Sequence, residues 1–158
     1  MSSVIAVLDA SRNLLSEQRY RAVLDTTRSL IGLLEPDGTL IDVNLAALER
    51  VRTRRQDVIG KAFWETPWWT HDAEQQQRLR QAIRRVAAGG HDRFESTHPA
   101  ADGGIGYFNF FLTPIRDAVG QVIFLVPESH DISARRRVEQ TLHAAEQRFR
   151  AISEGSML

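Results

Sequence analysis

Residues 30–44, LIGLLEPDGTLIDVN, hold two short apolar runs on either side of Pro36-Asp37-Gly38. Proline presets φ at the first turn position, and glycine accepts the positive φ required later in the turn. The stretch therefore predicts a β-hairpin: strand 30–35, turn, strand 39–43. Asn44 follows the second run and is a good N-cap for a helix in "NLAALERVR". A second short helix is expected in "RRQDVIG", ended by Gly60.

Upstream of the hairpin, residues 2–28 read as helical. Val4, Leu8, Leu15, Val23 and Leu24 recur near helical spacing with no proline between them, and Ser16 is placed to cap a second helix. Downstream, "DAEQQQRLRQAIRRVAAGG" at 72–90 is the clearest helix, opened by Asp72 and closed by Gly89-Gly90. Leu79, Ile83, Val86 and Ala87 form its apolar stripe. Three strands are expected at 91–99, 105–115 and 121–130, joined by "AADGG" and "RDAVG", which carry the glycine and aspartate of hairpin turns. The order β-β, helices, β-β-β predicts an α+β fold with one five-stranded antiparallel sheet and helices over one face.

The strand "YFNFFLTPI" carries Tyr107, Asn109, Phe111, Thr113 and Ile115 on one face and Phe108, Phe110, Leu112 and Pro114 on the other. Both faces hold large apolar groups, so both call for cover. The middle helices supply it on one side; the N-terminal helix, a partner chain or both must supply it on the other. Pro127 cannot donate to a ladder, which predicts a bulge or the end of pairing there.

The chain has 158 residues, 42% of them apolar and 25% charged, as in a folded globular domain. Lys+Arg and Asp+Glu both number 20, so no net field favours nucleic acid or an anionic membrane as a partner. The arginine clusters "RVRTRR" and "RRR" read as solvated helix faces. With no cysteine, disulfides, thiolate metal sites and a cysteine nucleophile are excluded. No apolar run approaches the roughly 18 residues of a membrane span, and no secretion signal is seen, so a cytoplasmic location is expected.

All three tryptophans fall in "FWETPWWTHD", residues 63–72. Phe63 and one or two of Trp64, Trp68 and Trp69 are expected in the core. Each indole N–H needs a partner, so the three should not all be fully buried. At the far end, "DISARRRVEQTLHAAEQRFRAIS" starts with Asp131 or Ser133 as cap. Val138, Leu142, Ala145, Phe149 and Ile152 then follow at spacings of 4, 3, 4 and 3. That is a short heptad seam, which predicts a parallel two-chain connector; a helix folded back on the sheet is the competing reading.

In "GLLEPDGTLIDVN", "DVIGKAFWETPWW" and "LTPIRDAVGQVIFLVPESHDIS", taken in this order, the sequence resembles a PAS domain over about residues 28–142. The closing Asp131-Ile132-Ser133 is similar to the Asp-Ile-Thr motif at the exit of such domains. The resemblance implies a helical extension at 1–28, a sensor domain at 29–132, and a signalling helix at 133–158. The stretch "RFRAISEGSM" resembles the opening of a following PAS module, as in a fragment of a longer bacterial sensor. It further implies a homodimer and an output domain in cis, a histidine kinase or a diguanylate cyclase. The tryptophan segment would lie over the mouth of a cavity, so Phe63, Trp64, Trp68, Trp69, His71 and Phe94 are candidate contacts for a small-molecule ligand. The carboxylate of Asp131 would tie the exit helix to the body, with Arg116 as candidate partner.

No cofactor is expected. The cysteine needed for a blue-light flavin adduct is absent, residues 73–89 lack the histidine that haem-binding members place on the long helix, and noncovalent flavin has only a nearby tryptophan in its favour. His71, His91, His98, His130 and His143 show no metal-ligand spacing, and surface or capping roles are expected for all five. His143 lacks the neighbours of a kinase phosphoacceptor, and no catalytic motif is found. A rival reading is a small enzyme with a conical pocket, of the ketosteroid isomerase type, for which Glu65 and Asp92 are the only candidate carboxylates. A purely structural dimerisation module is the third.

Overall fold

The Pro36-Asp37-Gly38 turn closes as its residues predict. Gly38 has φ 96° and donates its N–H to the Glu35 carbonyl at 2.9 Å. The turn also anchors the tryptophan segment: the Gly38 carbonyl accepts from Phe63 N, and Thr39 bridges Ala62. A Cβ on Gly38 would stand 2.6 Å from the Trp64 ring, so close approach as well as positive φ demands glycine here.

The computed structural model describes residues 2–155. Helix α1 (Ser2–Thr26) is followed by β1 (Leu30–Leu34), β2 (Leu40–Val43), α2 (Leu45–Val51) and α3 (Arg55–Val58). A single 3-10 turn (Phe63–Glu65) leads to α4 (Ala73–Ala87), β3 (Asp92–Pro99), β4 (Ile105–Arg116), β5 (Val122–Asp131) and α5 (Ser133–Gly155). The five strands form one antiparallel sheet in the order β2-β1-β5-β4-β3. The α+β class and the five-stranded sheet agree with the sequence.

Asn44 organises the N-terminal half. Its Oδ1 accepts from Ala47 N at 3.2 Å, capping α2, and from Ile31 N at 3.1 Å. Its Nδ2 donates to the carbonyls of Leu24 and Ser29 at 3.0 and 2.8 Å. All four bonds of one buried amide are thereby satisfied, joining the end of α1, the start of β1 and the first turn of α2.

Three expectations need correction. The first is the break at Ser16. Helix α1 runs without interruption through this exposed residue, whose side chain competes little with the helical ladder when it faces solvent. Leu8 has a side chain outside the described set. The second is Pro127, which sits inside a central strand, so that the expected break in pairing occurs on its β1 side only. Pairing with β4 continues through Leu112↔Pro127, whereas the β1 ladder skips from Ile31↔Glu128 to Leu34↔Leu125. Proline removes one donor only, so one of the two ladders absorbs the loss, and Gly32 leaves room for the ring. The third concerns the N-terminal helix as cover for the outer face. Helix α1 docks on α2 and on Asp42 of edge strand β2, which accepts from Arg21 at 2.8 Å and also pairs with Arg55. Tyr107 and Ile115 of β4 stay exposed.

The inner face carries the core. Leu34, Leu40, Phe110, Leu112 and Leu125 of the sheet meet Leu79, Ala82, Ile83 and Val86 of α4. Asp72 caps α4 by accepting from Glu74 N and Gln75 N. Helix α5 has no buried residue, so it does not fold back on the sheet. The expected start of a following module falls at the chain end: Arg148–Gly155 continue α5, and residues 156–158 lie outside those described.

Candidate functional site

The tryptophan segment wraps under the hairpin turn and sends its side chains in different directions. Thr66, fully buried, bonds the Phe63 carbonyl through its hydroxyl and accepts Trp69 N at 3.0 Å, which fixes the turn. Trp69 is fully buried and meets Phe63, Phe94, His98 and Phe110 with ring centroids 4.9–6.2 Å apart. Trp68 is buried too and donates its indole N–H to the Ala47 carbonyl at 2.9 Å. Trp64 is half-buried under Arg80, outside the cavity described next. The three indoles are therefore not all buried.

Between this segment and the sheet lies a cavity of ≈ 20 Å³, room for about one water. Its wall includes Phe63, Trp68 and Trp69 from the expected set. Leu30, Ile31 and Gly32 of β1, Val43 of β2, Ala47 of α2, Phe110 of β4 and Pro127 of β5 complete the apolar part. Trp64, His71 and Phe94 do not line it. His71 is exposed and bonds Thr97 Oγ1 at 2.9 Å, because it stands just before the cap of α4 beside edge strand β3. Phe94 packs behind Trp69 and Phe110, covered by the Arg78 guanidinium 4.3 Å from its ring centroid.

His98 overturns the surface assignment given to every histidine. It is 1% exposed, lines the cavity and contacts Trp69 and Phe108. A carbonyl can only accept, so Nδ1–H donates to Trp68 O at 2.9 Å, leaving Nε2 to accept from Ser129 Oγ at 3.0 Å. Burial pushes its pKa down to about 4, the Trp68 carbonyl opposing in part. The imidazole is thus neutral at physiological pH. The signal was legible: Phe94, Ser96 and His98 share one parity on β3, so an inward Phe94 implies an inward His98.

The junction between sheet and exit helix is the second place where candidates meet. Ile132 is buried and donates its N–H to the Tyr107 carbonyl at 2.8 Å. Ser133 Oγ accepts Tyr107 N at 3.0 Å, and Asp131 Oδ1 accepts Ser133 N at 2.8 Å. The expected partner of Asp131, Arg116, lies at the opposite end of the β4–β5 hairpin: Asp131 pairs with Phe108, Arg116 with Val122. Arg116 donates instead to the carbonyls of Gly89 and Gly120. The charged tie is made elsewhere, by Arg136 to Glu95 of β3 at 2.9 Å, with the guanidinium 4.4 Å from the Tyr107 ring centroid. Sequence reasoning missed Glu95, because only the register of β3 on β4 brings it beside Asn109 and the helix start.

Asp131→Ala is expected to cost about 0.5–2 kcal/mol and to act locally. Amide exchange should accelerate at 132–137 while strands 105–115 keep their protection. Equal protection at 132–137 in variant and parent would remove Asp131 from the junction. Beyond it, Val138, Leu142, Phe149 and Ile152 stay 60–73% exposed along α5, and Ala145 is exposed with them.

The carboxylates of the rival enzyme reading are placed unsuitably. Glu65 is exposed. The two bonds from the Arg78 guanidinium hold Asp92 below the usual carboxylate range, the reverse of a tuned general base.

A family model described as PAS fold matches residues 24–137. The chain is 28% identical over 135 residues to the sensor histidine kinase TmoS of Ectopseudomonas mendocina, covering 84% of this chain and 14% of that protein. It is 27% identical over 141 residues to hybrid signal transduction histidine kinase D of Dictyostelium discoideum, covering 88% of this chain and 9% of that protein. The chain therefore spans under a sixth of the length of either relative. Among solved structures, the PAS domain of an HTR-like protein from Haloarcula marismortui is similar in fold. Its TM-score is 0.59 at 21% identity, over 78% of this chain and 98% of that one. No helix of the described residues is long and apolar enough to cross a membrane.

Proposed function

The chain belongs to the PAS fold family, and from that premise we propose that it is a ligand-sensing module whose exit helix relays the signal to an output domain in cis. The output is a histidine kinase, as in the relatives named above. A cytoplasmic location belongs to the same proposal, since a kinase output draws on ATP. The module contributes regulation, and catalysis belongs to the output domain.

The observation that carries this reading is the asymmetry of α5. Its first turn is bound to the sheet through Ile132, Ser133 and Arg136, and the rest of the helix exposes an apolar heptad face. A helix of this kind is held at one end by the sensor body and seeks a partner along its length. A small molecule in the cavity displaces Trp68, Trp69 or Phe110, which shifts β4 against β5. Tyr107 on β4 and Asp131 on β5 then reposition the first turn of α5. The second copy of this chain supplies the partner helix, and a two-helix seam converts that shift into rotation or a change of register.

The chain is expected to sediment as a dimer, and Leu142→Asp as a monomer with an unchanged fold by circular dichroism. A parent chain that is monomeric at tens of micromolar would remove the two-chain connector from this reading. The tightness of the cavity, ≈ 20 Å³, favours a second reading, a structural dimerisation module that binds nothing. Mass spectrometry of the native protein separates the two: a stoichiometric co-purified small molecule is incompatible with the structural module.

A further inference from the structure

We infer that the cavity, which has room for about one water until β1 moves outward, selects an uncharged molecule of a few non-hydrogen atoms carrying a hydrogen-bond acceptor, received by the indole N–H of Trp69. The inference rests on the sensor reading above and adds the chemical class of ligand to it.

The cavity wall contains no Lys, Arg, Asp or Glu. An ion entering it would give up its hydration without gaining a countercharge, so charged ligands are rejected. Arg50 stands outside the lining: its guanidinium donates to the His98 carbonyl at 2.8 Å and lies 5.2 Å from the Phe108 ring centroid, and its buried Nε has no partner among the described residues. His98 gives its one proton to Trp68 O and fills Nε2 from Ser129, so it offers an incoming molecule neither charge nor a free donor.

Trp69 differs from Arg50 in lining the cavity and from His98 in having a donor to spare. It is fully buried, is one of the residues lining the cavity, and its Nε1 has no hydrogen-bond partner among the described residues. Buried indole N–H groups are normally satisfied, and its neighbour Trp68 shows the usual solution with Ala47. A lining residue with an unused donor beside an apolar cavity is matched by a ligand acceptor. The wall also has a place to give: Gly32 and Pro127 face the cavity where the β1–β5 ladder is interrupted, so β1 can move outward without breaking a bridge at that point.

The isosteric pair acetamide and acetate tests the inference, because the two differ in charge at nearly constant shape. The side-chain indole resonances of the chain are followed by proton–nitrogen correlation NMR, assigned by single Trp→Phe replacements. If Trp69→Phe does not fold, Trp64→Phe and Trp68→Phe assign Trp69 by elimination. Acetamide should move the Trp69 indole proton downfield in a saturable manner with Trp64 unmoved, and acetate should need at least about tenfold higher concentration. Acetate binding as well as acetamide would overturn the ligand class while leaving a ligand-binding cavity in place. No response to either probe would overturn the inference altogether, and the dimer and mass-spectrometry experiments above still decide the sensor reading independently.

Discussion

Trp69→Ala is expected to cost about 3–5 kcal/mol of stability, the range for removing a buried aromatic side chain from a core that relaxes only partly. Trp69 is fully enclosed and contacts Phe63, Phe94, His98 and Phe110, which come from both the helical layer and the sheet. These rings belong to separate elements, so no small rearrangement closes the space. For a chain of this size the loss corresponds to a fall in Tm of roughly 6–20 °C. Trp64→Ala serves as the comparison, since that ring is half-buried under Arg80 at the surface and its removal should cost clearly less. Urea titration of both variants decides the matter. A loss below about 1 kcal/mol at Trp69 would mean that the aromatic cluster does not carry the core.

The second large effect is a pH dependence set by His98. In the unfolded chain it takes up its proton near the ordinary pKa of 6.5, and in the folded chain only at about 4. Above pH 6.5 the residue is neutral in both states and its contribution does not change. As pH falls from 6.5 towards 4, the unfolded chain binds a proton that the folded chain refuses. Stability then drops by about 1.4 kcal/mol per pH unit, about 3 kcal/mol in all. Below pH 4 both states are protonated and this contribution levels off. In His98→Gln the side-chain amide can still donate to Trp68 O and accept from Ser129, but it does not titrate. The variant should begin less stable and show a flatter profile between pH 6.5 and 5, a window above most carboxylate titrations. Parallel slopes for parent and variant would show that His98 does not set this dependence.

Asp131 and Arg136 anchor the exit helix, whereas Asp42 and Asn44 anchor the N-terminal helix. Asp42 gathers Arg21 from α1 and Arg55 from α3, and Asn44 holds the Leu24 carbonyl at the end of α1. The entering helix is therefore bolted to the β1–β2 hairpin and the leaving helix to the β3–β4 edge. The sheet lies between the two anchor points.

The strands, the Pro36-Asp37-Gly38 turn, the Asn44 and Asp72 caps and the heptad face of α5 were legible in the sequence. Each depends on interactions within a few residues: a dihedral preference, an N–H capped two or three positions on, a periodicity along one element. Gly38 and Asn44 acquired further roles in the fold, but the local role already named them. What the tertiary structure alone decided were the pairings between elements far apart in the chain. Arg116 and Asp131 are close in sequence and sit at opposite ends of one hairpin, while Glu95 reaches Arg136 only through the register of β3 on β4. Pro127 could be placed in a central strand only because Gly32, on a strand almost a hundred residues earlier, makes room for its ring. The same holds for the tryptophan segment. Composition marked it as unusual, but which indole is core, which is surface and which keeps an unused N–H depends on the carbonyls and rings that folding brings beside each one.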